Sequence, residues 1–220
     1  MTAAPRSFAG GFSDSERAEL LALGRARSCV RNARVFTEGE LSDFVVVVVE
    51  GRIKVSASTS DGTEAVLGIR APGALVGELA AFDGGPRTAS AVALDPLTVR
   101  VISAAEFREF VARSPGAALE LIRMLMGRLR EGDRRRVEFG AYDATSRVAH
   151  LLCDLASEHT RRPDGAIEVR LAQHELAGLV GASRESVARA LAVLRDRSLV
   201  TTGRGTVTIV DSESLRAFVS

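Results

Sequence analysis

The spacing of hydrophobic and polar positions changes along this chain, and each change marks an element. Ser13-Asp14-Ser15-Glu16 is a capping box, in which hydroxyl and carboxylate satisfy each other's backbone N–H groups. It predicts a short helix through about Leu23, and residues 1–11 before it read as disordered. From Arg34 to about Val101 the texture becomes short β-branched runs cut by glycines. The runs are Phe44–Glu50, Arg52–Ser56, Ala65–Ile69 and Ala91–Ile102, with turns at Gly51, Asp61-Gly62, Pro72-Gly73 and Gly84-Gly85-Pro86. Strands at this spacing with these turns predict a small antiparallel sandwich or barrel.

Helical spacing returns at Ala104–Arg113. Ser114-Pro115 then caps and starts a long helix, with proline at the first position, where its missing N–H costs nothing. Apolar residues at Ala118, Ile122, Leu125 and Leu129 alternate steps of four and three, the repeat of a two-stranded helix seam. The same register continues through Gly132, Arg136 and Phe139. A helix packed on its own β-domain is the alternative reading. Beyond Tyr142 the pattern predicts a helix at Ala144–Ser157, a loop at Arg161–Gly165 and a strand at Ile167–Leu171. Two helices follow, at Gln173–Val180 and Arg184–Arg195, and then a hairpin over Leu199–Val210 with a glycine-flanked tip.

With 46% apolar residues the chain can bury real cores, and a net charge of +1 gives no global field toward nucleic acid or membrane. Any such contact is a local patch. Phe44–Val49 is far too short to span a bilayer, and no basic segment followed by an apolar core marks a secretory signal. A cytoplasmic location is the expectation. Cys29 and Cys153 stand far apart without a CxxC motif and read as buried apolar thiols. No metal site is expected. All three histidines, His150, His159 and His174, follow the β-rich segment, and they read as surface or helix-packing residues.

Two stretches carry candidate chemistry. Val76–Ala91 places Glu78, Arg87 and Thr88 around a turn of two glycines and a proline. Arg87 offers a planar fork that suits phosphate, while Glu78 can accept from a sugar hydroxyl and would repel a second phosphate. The set fits a ligand with one negative charge and free hydroxyls, as in a cyclic mononucleotide; a decorated hairpin with a solvated Arg–Glu pair is the plain alternative. The second stretch is the pair of helices joined by Gly181-Ala182-Ser183, a helix-turn-helix signal. Ser183 can cap the second helix, whose first turns carry Arg184, Glu185, Ser186 and Arg189 opposite Val187, Ala190, Leu191 and Leu194. Arginine can pair with guanine N7 and O6, and glutamate can accept from cytosine N4. Arg204 at the hairpin tip could reach a phosphate. Residues 141–220 hold ten arginines against ten acids, so charge does not separate DNA from an ordinary solvated face.

The order of a β-roll, a long helix and a winged helix-turn-helix resembles the CRP/FNR (catabolite activator) family of transcription regulators over roughly Phe12–Val210. Two motifs carry the resemblance: G-E-L-x-x-F-D-x-G-P-R-T-A at Gly77–Ala89, and L-V-G-A-S-R-E-S-V-x-R at Leu179–Arg189. It implies an α+β fold with an N-terminal antiparallel, jelly-roll-like β-roll (1–113), a long dimerisation helix (114–142) and a C-terminal winged helix-turn-helix (143–220). By the same resemblance Gly77, Glu78, Leu79, Arg87, Thr88, Arg128, Gly132 and Asp133 would surround the effector. Glu78 would hold the ribose 2′-hydroxyl, and Arg87 and Thr88 the cyclic phosphate. Gly132 and Asp133 stand where cyclic-AMP-dependent members contact adenine, in place of hydroxyl or amide residues. Ser183, Arg184, Glu185, Ser186, Arg189 and Arg204 would meet DNA, on a palindromic operator with TGTGA-like half-sites about one helical turn apart.

The resemblance implies a homodimeric, non-enzymatic regulator, with no obligatory cofactor, gated by cyclic AMP or another cyclic nucleotide. RNA polymerase is a partner it implies through the loop Arg161–Gly165, which by composition alone reads as a turn. Two rivals stay open: a constitutive regulator without ligand, and a cyclic-nucleotide module that acts on a protein partner.

Overall fold

A computed structural model describes residues 8–58, 64–158 and 162–219. A 3-10 turn at Phe8–Gly11 and helix α1 (Asp14–Ala22) lead into strands β1 (Arg25–Cys29), β2 (Arg34–Phe36), β3 (Phe44–Glu50), β4 (Ile53–Ser58), β5 (Glu64–Arg70) and β6 (Leu75–Val76). Next come helix α2 (Glu78–Asp83), strands β7 (Ser90–Ala93) and β8 (Leu97–Ser103), and helices α3 (Ala104–Arg113) and α4 (Pro115–Ala141). The remainder holds α5 (Ala144–Glu158), β9 (Ile167–Val169), α6 (Gln173–Val180), α7 (Arg184–Asp196), β10 (Val200–Gly203), β11 (Thr206–Ile209) and α8 (Ser212–Phe218). Among the described residues, those up to Arg130 form one compact unit and those from Glu131 form another, the boundary falling inside α4.

In the first unit two four-stranded antiparallel sheets, ordered β1-β8-β3-β6 and β2-β7-β4-β5, form the roll. Strand β3 explains why its sequence is a run of valines rather than an alternation. Val46 and Val48 face the core between the sheets, with Ile53, Ala91, Ala93, Leu97 and Val99. Val45 and Val47 face the opposite way, into a second core built with Phe107, Phe110 and Leu121. A strand covered on both faces needs apolar residues at every position.

Three expectations are corrected here. Residues 8–11 are ordered: Phe8 is only 1% exposed and packs edge-on against Phe12 and Phe107. Burying one such ring contributes about 2–3 kcal/mol, which outweighs the weak local propensity of F-A-G-G. Ala91–Ile102 is two strands, parted at Leu94-Asp95-Pro96, where Arg52 Nε binds Asp95 at 2.6 Å. The β-rich region begins at Arg25 rather than Arg34, because β1 is a polar edge strand with no alternation to betray it. The turn predicted at Asp61-Gly62 lies outside the described residues.

Helix α4 keeps Ala117 and Leu121 buried and exposes Leu119, Ile122, Met126 and Leu129. The exposed stripe therefore differs from the predicted seam. Leu125 packs on the core of its own unit, and Leu119 and Met126 take the outward places.

In the second unit an antiparallel sheet ordered β10-β11-β9 packs with α5–α8 around Leu152, Leu176, Leu191, Leu194 and Leu215. Ala172 provides no side-chain cap for α6, yet the cap is half restored. Glu175, 7% exposed, accepts the Ala172 N–H at 2.6 Å. His150 stacks on Tyr142 with ring centroids 4.7 Å apart, His174 is exposed, and His159 lies outside the described residues. Cys29 and Cys153 are half-buried, and burial pushes the Cys153 thiol up to about 11. No group of three His, Cys, Asp or Glu placed for a metal occurs among the described residues, nor any helix long and apolar enough to cross a membrane.

Candidate functional site

Arg87 is the centre of the first site. Two backbone hydrogen bonds pin the segment after α2: Arg87 N–H to Glu40 O at 2.9 Å and Gly39 N–H to Arg87 O at 2.8 Å. The side chain is 3% exposed. Its guanidinium donates to Ser42 Oγ at 2.6 Å, Gly77 O at 2.8 Å and Phe44 O at 2.5 Å. It lies over the rings of Phe36 and Phe44, 4.2 and 4.7 Å from their centroids. Gly77 is required twice. Its φ of 86° is left-handed, and a Cβ there would overlap Arg87 Nη1.

The electrostatics of this arrangement are unusual. Burial lowers the pKa of Arg87, against the opposing pull of Glu40, Glu78 and Asp43, but the guanidinium remains cationic. Among the described residues no carboxylate forms an ion pair with it; neutral carbonyls, a hydroxyl and two ring faces hold it. A buried cation whose hydrogen bonds go to neutral groups gains from an added anion. Three of its five N–H donors are engaged, which leaves donors for a phosphate oxygen.

Glu78 is also buried, at 4% exposure, and it pairs elsewhere than expected. Its Oε1 accepts from Arg128 Nη1 on α4 at 2.5 Å, while Arg128 Nη2 donates to Leu75 O at 2.6 Å. Glu78 thus opens a six-residue helix, α2, which ends at the predicted glycine turn with Gly84 at φ of 70°, and the solvated Arg–Glu pair does not exist. Leu79 is exposed on α2, and Thr88 is exposed beside Arg87. Gly132 continues α4 with open space around its Cα, and Asp133 pairs with Arg136 on the same helix at 3.2 Å. Ser42, Phe36 and Phe44 were missed from sequence, because nothing local marks partners some 45 residues from Arg87.

The second site is built on α7. Gly181 ends α6 with φ of 58°, and a Cβ there would press on the Phe139 ring at 2.9 Å. Ser183 caps α7 by accepting the Ser186 N–H at 3.1 Å. Buried Val187, Ala190, Leu191 and Leu194 fix the helix and leave Ser183, Arg184, Glu185 and Arg189 exposed, with Ser186 partly so. Arg189 Nη2 rests on Ser186 Oγ at 2.9 Å. Hydrogen bonds from its own backbone and from Ser183 lower the Glu185 pKa, which keeps an acceptor on this face. Arg204 is exposed at the tip between β10 and β11, and Arg195 Nη1 ties that hairpin to α7 through Thr202 Oγ1 at 3.0 Å. Arg147 was also missed. It donates to Val180 O at 3.0 Å and to Tyr142 O at 2.9 Å, bracing the end of α6.

Comparison with known proteins assigns a domain family to each part of the chain. Residues 26–114 match the family model described as cyclic nucleotide-binding domain, and residues 146–218 match the Crp-like helix-turn-helix domain. The chain is 35% identical to a CRP-like cAMP-activated global transcriptional regulator of Mycobacterium tuberculosis, over 94% of this chain and 95% of the relative. It is 32% identical to the cyclic AMP receptor protein of Thermus thermophilus, over 82% of each. Among solved structures it is similar to the regulator CLP of Xanthomonas campestris, described as c-di-GMP responsive. That likeness has a TM-score of 0.77 at 26% identity and covers 90% of this chain and 100% of the other. These relatives are transcription regulators rather than enzymes.

Proposed function

The chain belongs to the CRP/FNR family of DNA-binding transcription regulators, and from that premise we propose a homodimer gated by a cyclic nucleotide in the roll. The observation that carries this reading is the buried, ion-pair-free guanidinium of Arg87 beside the buried carboxylate of Glu78. Arg87 and Thr88 take the cyclic phosphate, and Glu78 accepts the ribose 2′-hydroxyl, with Gly77 and Leu79 lending backbone. The 35% identical relative is named as cAMP-activated, which supports a cyclic mononucleotide as the ligand class.

Gating follows from Arg128. Glu78 already holds this arginine of α4 through Oε1, so a hydroxyl arriving at the same carboxylate competes with or reorients that pair. The ligand thereby interacts differently with alternative placements of α4, the one condition under which it shifts their populations. The exposed stripe Leu119, Ile122, Met126 and Leu129 supplies the apolar face for a second copy. Arg184, Glu185 and Arg189 read base edges, with Ser183, Ser186 and Arg204 on phosphates. RNA polymerase stays the proposed partner for activation.

The test is calorimetry with cyclic AMP and cyclic GMP, followed by operator binding with and without the nucleotide that binds. Heat of binding and a nucleotide-dependent operator affinity are expected. No heat with either nucleotide, together with unchanged operator affinity, would sink the gated reading in favour of a constitutive regulator.

A further inference from the structure

Register places a second arginine on the inner surface of the roll. Strand β5 pairs with β4 so that Gly68 stands opposite Val55 and Arg70 opposite Ile53. Strand β4 in turn sets Val55 opposite Ala91 and Ile53 opposite Ala93. Directly opposed residues of an antiparallel pair share a face. Ile53, Ala91 and Ala93 lie in the core between the sheets, and Val55 packs against it. Arg70 therefore leaves its strand on the same inner face as these aliphatic side chains. Its guanidinium is folded back over Gly68: a Cβ on that glycine would overlap Nη1 and stand 2.9 Å from Cζ. Nη1 also donates to Ile69 O at 3.2 Å, which holds the group in place. Gly68 is needed here for room.

The position of this guanidinium bears on what the site holds. The row Gly68–Val55–Ala91 is four residues along the chain from Arg87, at most about 13 Å along the strand. Strand β5 is two places from β7, about 10 Å across the sheet. That spacing separates the two positions across the sheet. It suits a nucleotide whose phosphate sits on Arg87 and whose base extends across the inner face toward Gly68.

We propose that Arg70 reads the base of the bound nucleotide and selects guanine over adenine. A guanidinium presents N–H donors side by side in a rigid plane. Guanine offers N7 and O6 as adjacent acceptors, whereas adenine sets the N6 amino donor beside N7, so the same fork meets one acceptor and one repelling donor. This inference rests on the cyclic-nucleotide reading above.

The test is calorimetric titration of the full-length protein with cyclic GMP and cyclic AMP, on wild type, Arg70→Met and Arg70→Lys, with melting temperatures as the check on folding. Wild type is expected to bind cyclic GMP about tenfold tighter or more, the discrimination typical of a bidentate guanine contact. Arg70→Met should bring the ratio close to one. Arg70→Lys keeps the charge but loses the fork, and it should follow the methionine variant. If Arg70→Met fails to fold, Gly68→Ala carries the test, since its methyl displaces the guanidinium without changing charge. Equal wild-type affinity for the two nucleotides overturns the proposal, and so does an unchanged ratio in Arg70→Met. Binding gained by Arg70→Met where wild type has none would make Arg70 a plug and overturns it as well. Absence of binding in both proteins is the distinct outcome in which the cyclic-nucleotide reading itself fails.

Discussion

Arg87 and Arg184 carry the same guanidinium in opposite circumstances. Arg87 is sealed in the roll between two rings and three acceptors, whereas Arg184 stands in water on the first turn of a capped helix. In the roll, the groups proposed to bind also hold the fold, so removing one leaves buried carbonyls and a buried partner without hydrogen bonds. On α7 the fold is held from behind by Val187, Leu191 and Leu194, and outward Arg184 lies outside both that core and the Ser183 cap. Binding and stability are thus coupled in one region and separable in the other.

The largest expected effect tests that coupling directly. Arg87→Met should abolish nucleotide binding and cost about 3 kcal/mol of stability in chemical denaturation, because Gly77 O, Phe44 O and Ser42 lose their donor. Arg184→Ala should change stability by less than about 0.5 kcal/mol while weakening specific operator binding by about 1–3 kcal/mol. An Arg87→Met protein as stable as wild type would erase the contrast.

Next in size is the Glu78–Arg128 pair. Arg128→Ala leaves the Glu78 carboxylate buried without its partner and should cost about 2 kcal/mol. The doubly neutral Arg128→Met, Glu78→Gln protein should recover most of that loss, although it cannot respond to nucleotide. A double-mutant cycle without coupling would show that the pair does not hold α4.

Salt should separate the two regions further. Operator affinity should fall steeply with ionic strength, and Arg204→Ala should reduce the slope of log affinity against log salt by about one. Nucleotide affinity should change far less, since screening acts weakly on buried charge.

The smallest effect concerns acid. Serine and backbone hydrogen bonds at helix caps lower the pKa values of Glu16, Glu106, Asp143 and Asp211. A carboxylate lowered in the folded state stabilises above its unfolded value and loses that contribution as pH falls through the folded one. Melting temperature should therefore hold steady with respect to these groups from neutral pH down to about 5, then drop below about 4. Asp143→Asn keeps a cap on α5 without a titrating group and should flatten part of that drop. An acid limb identical to wild type would show that Asp143 adds nothing to it.

Much of this molecule is readable from local chemistry. Ser13/Glu16, Ser183 and the Gly181 turn each act within a few residues, and strand β3 and helix α3 have the bounds that the pattern predicts. The places where reading failed share one cause. Strand β1 is polar and ordered by pairing with β8, Phe8 packs on distant Phe107 as well as on Phe12, and Leu125 turns inward onto the core that holds Phe107 and Phe110.

The candidate site divides the same way. The sequence alone determined which groups of the cassette were present, a carboxylate, a guanidinium and a hydroxyl near tight glycines, because residue type sets chemical capacity. It equally determined the capped helix pair that faces DNA, because capping and amphipathic spacing are local. Only the tertiary structure decided that Arg87 is buried without an ion pair, that Glu78 answers to Arg128, and that Arg70 lies over Gly68 inside the roll. Those facts depend on strand register and on contacts between residues tens of positions apart, and such long-range pairing leaves no trace in local spacing.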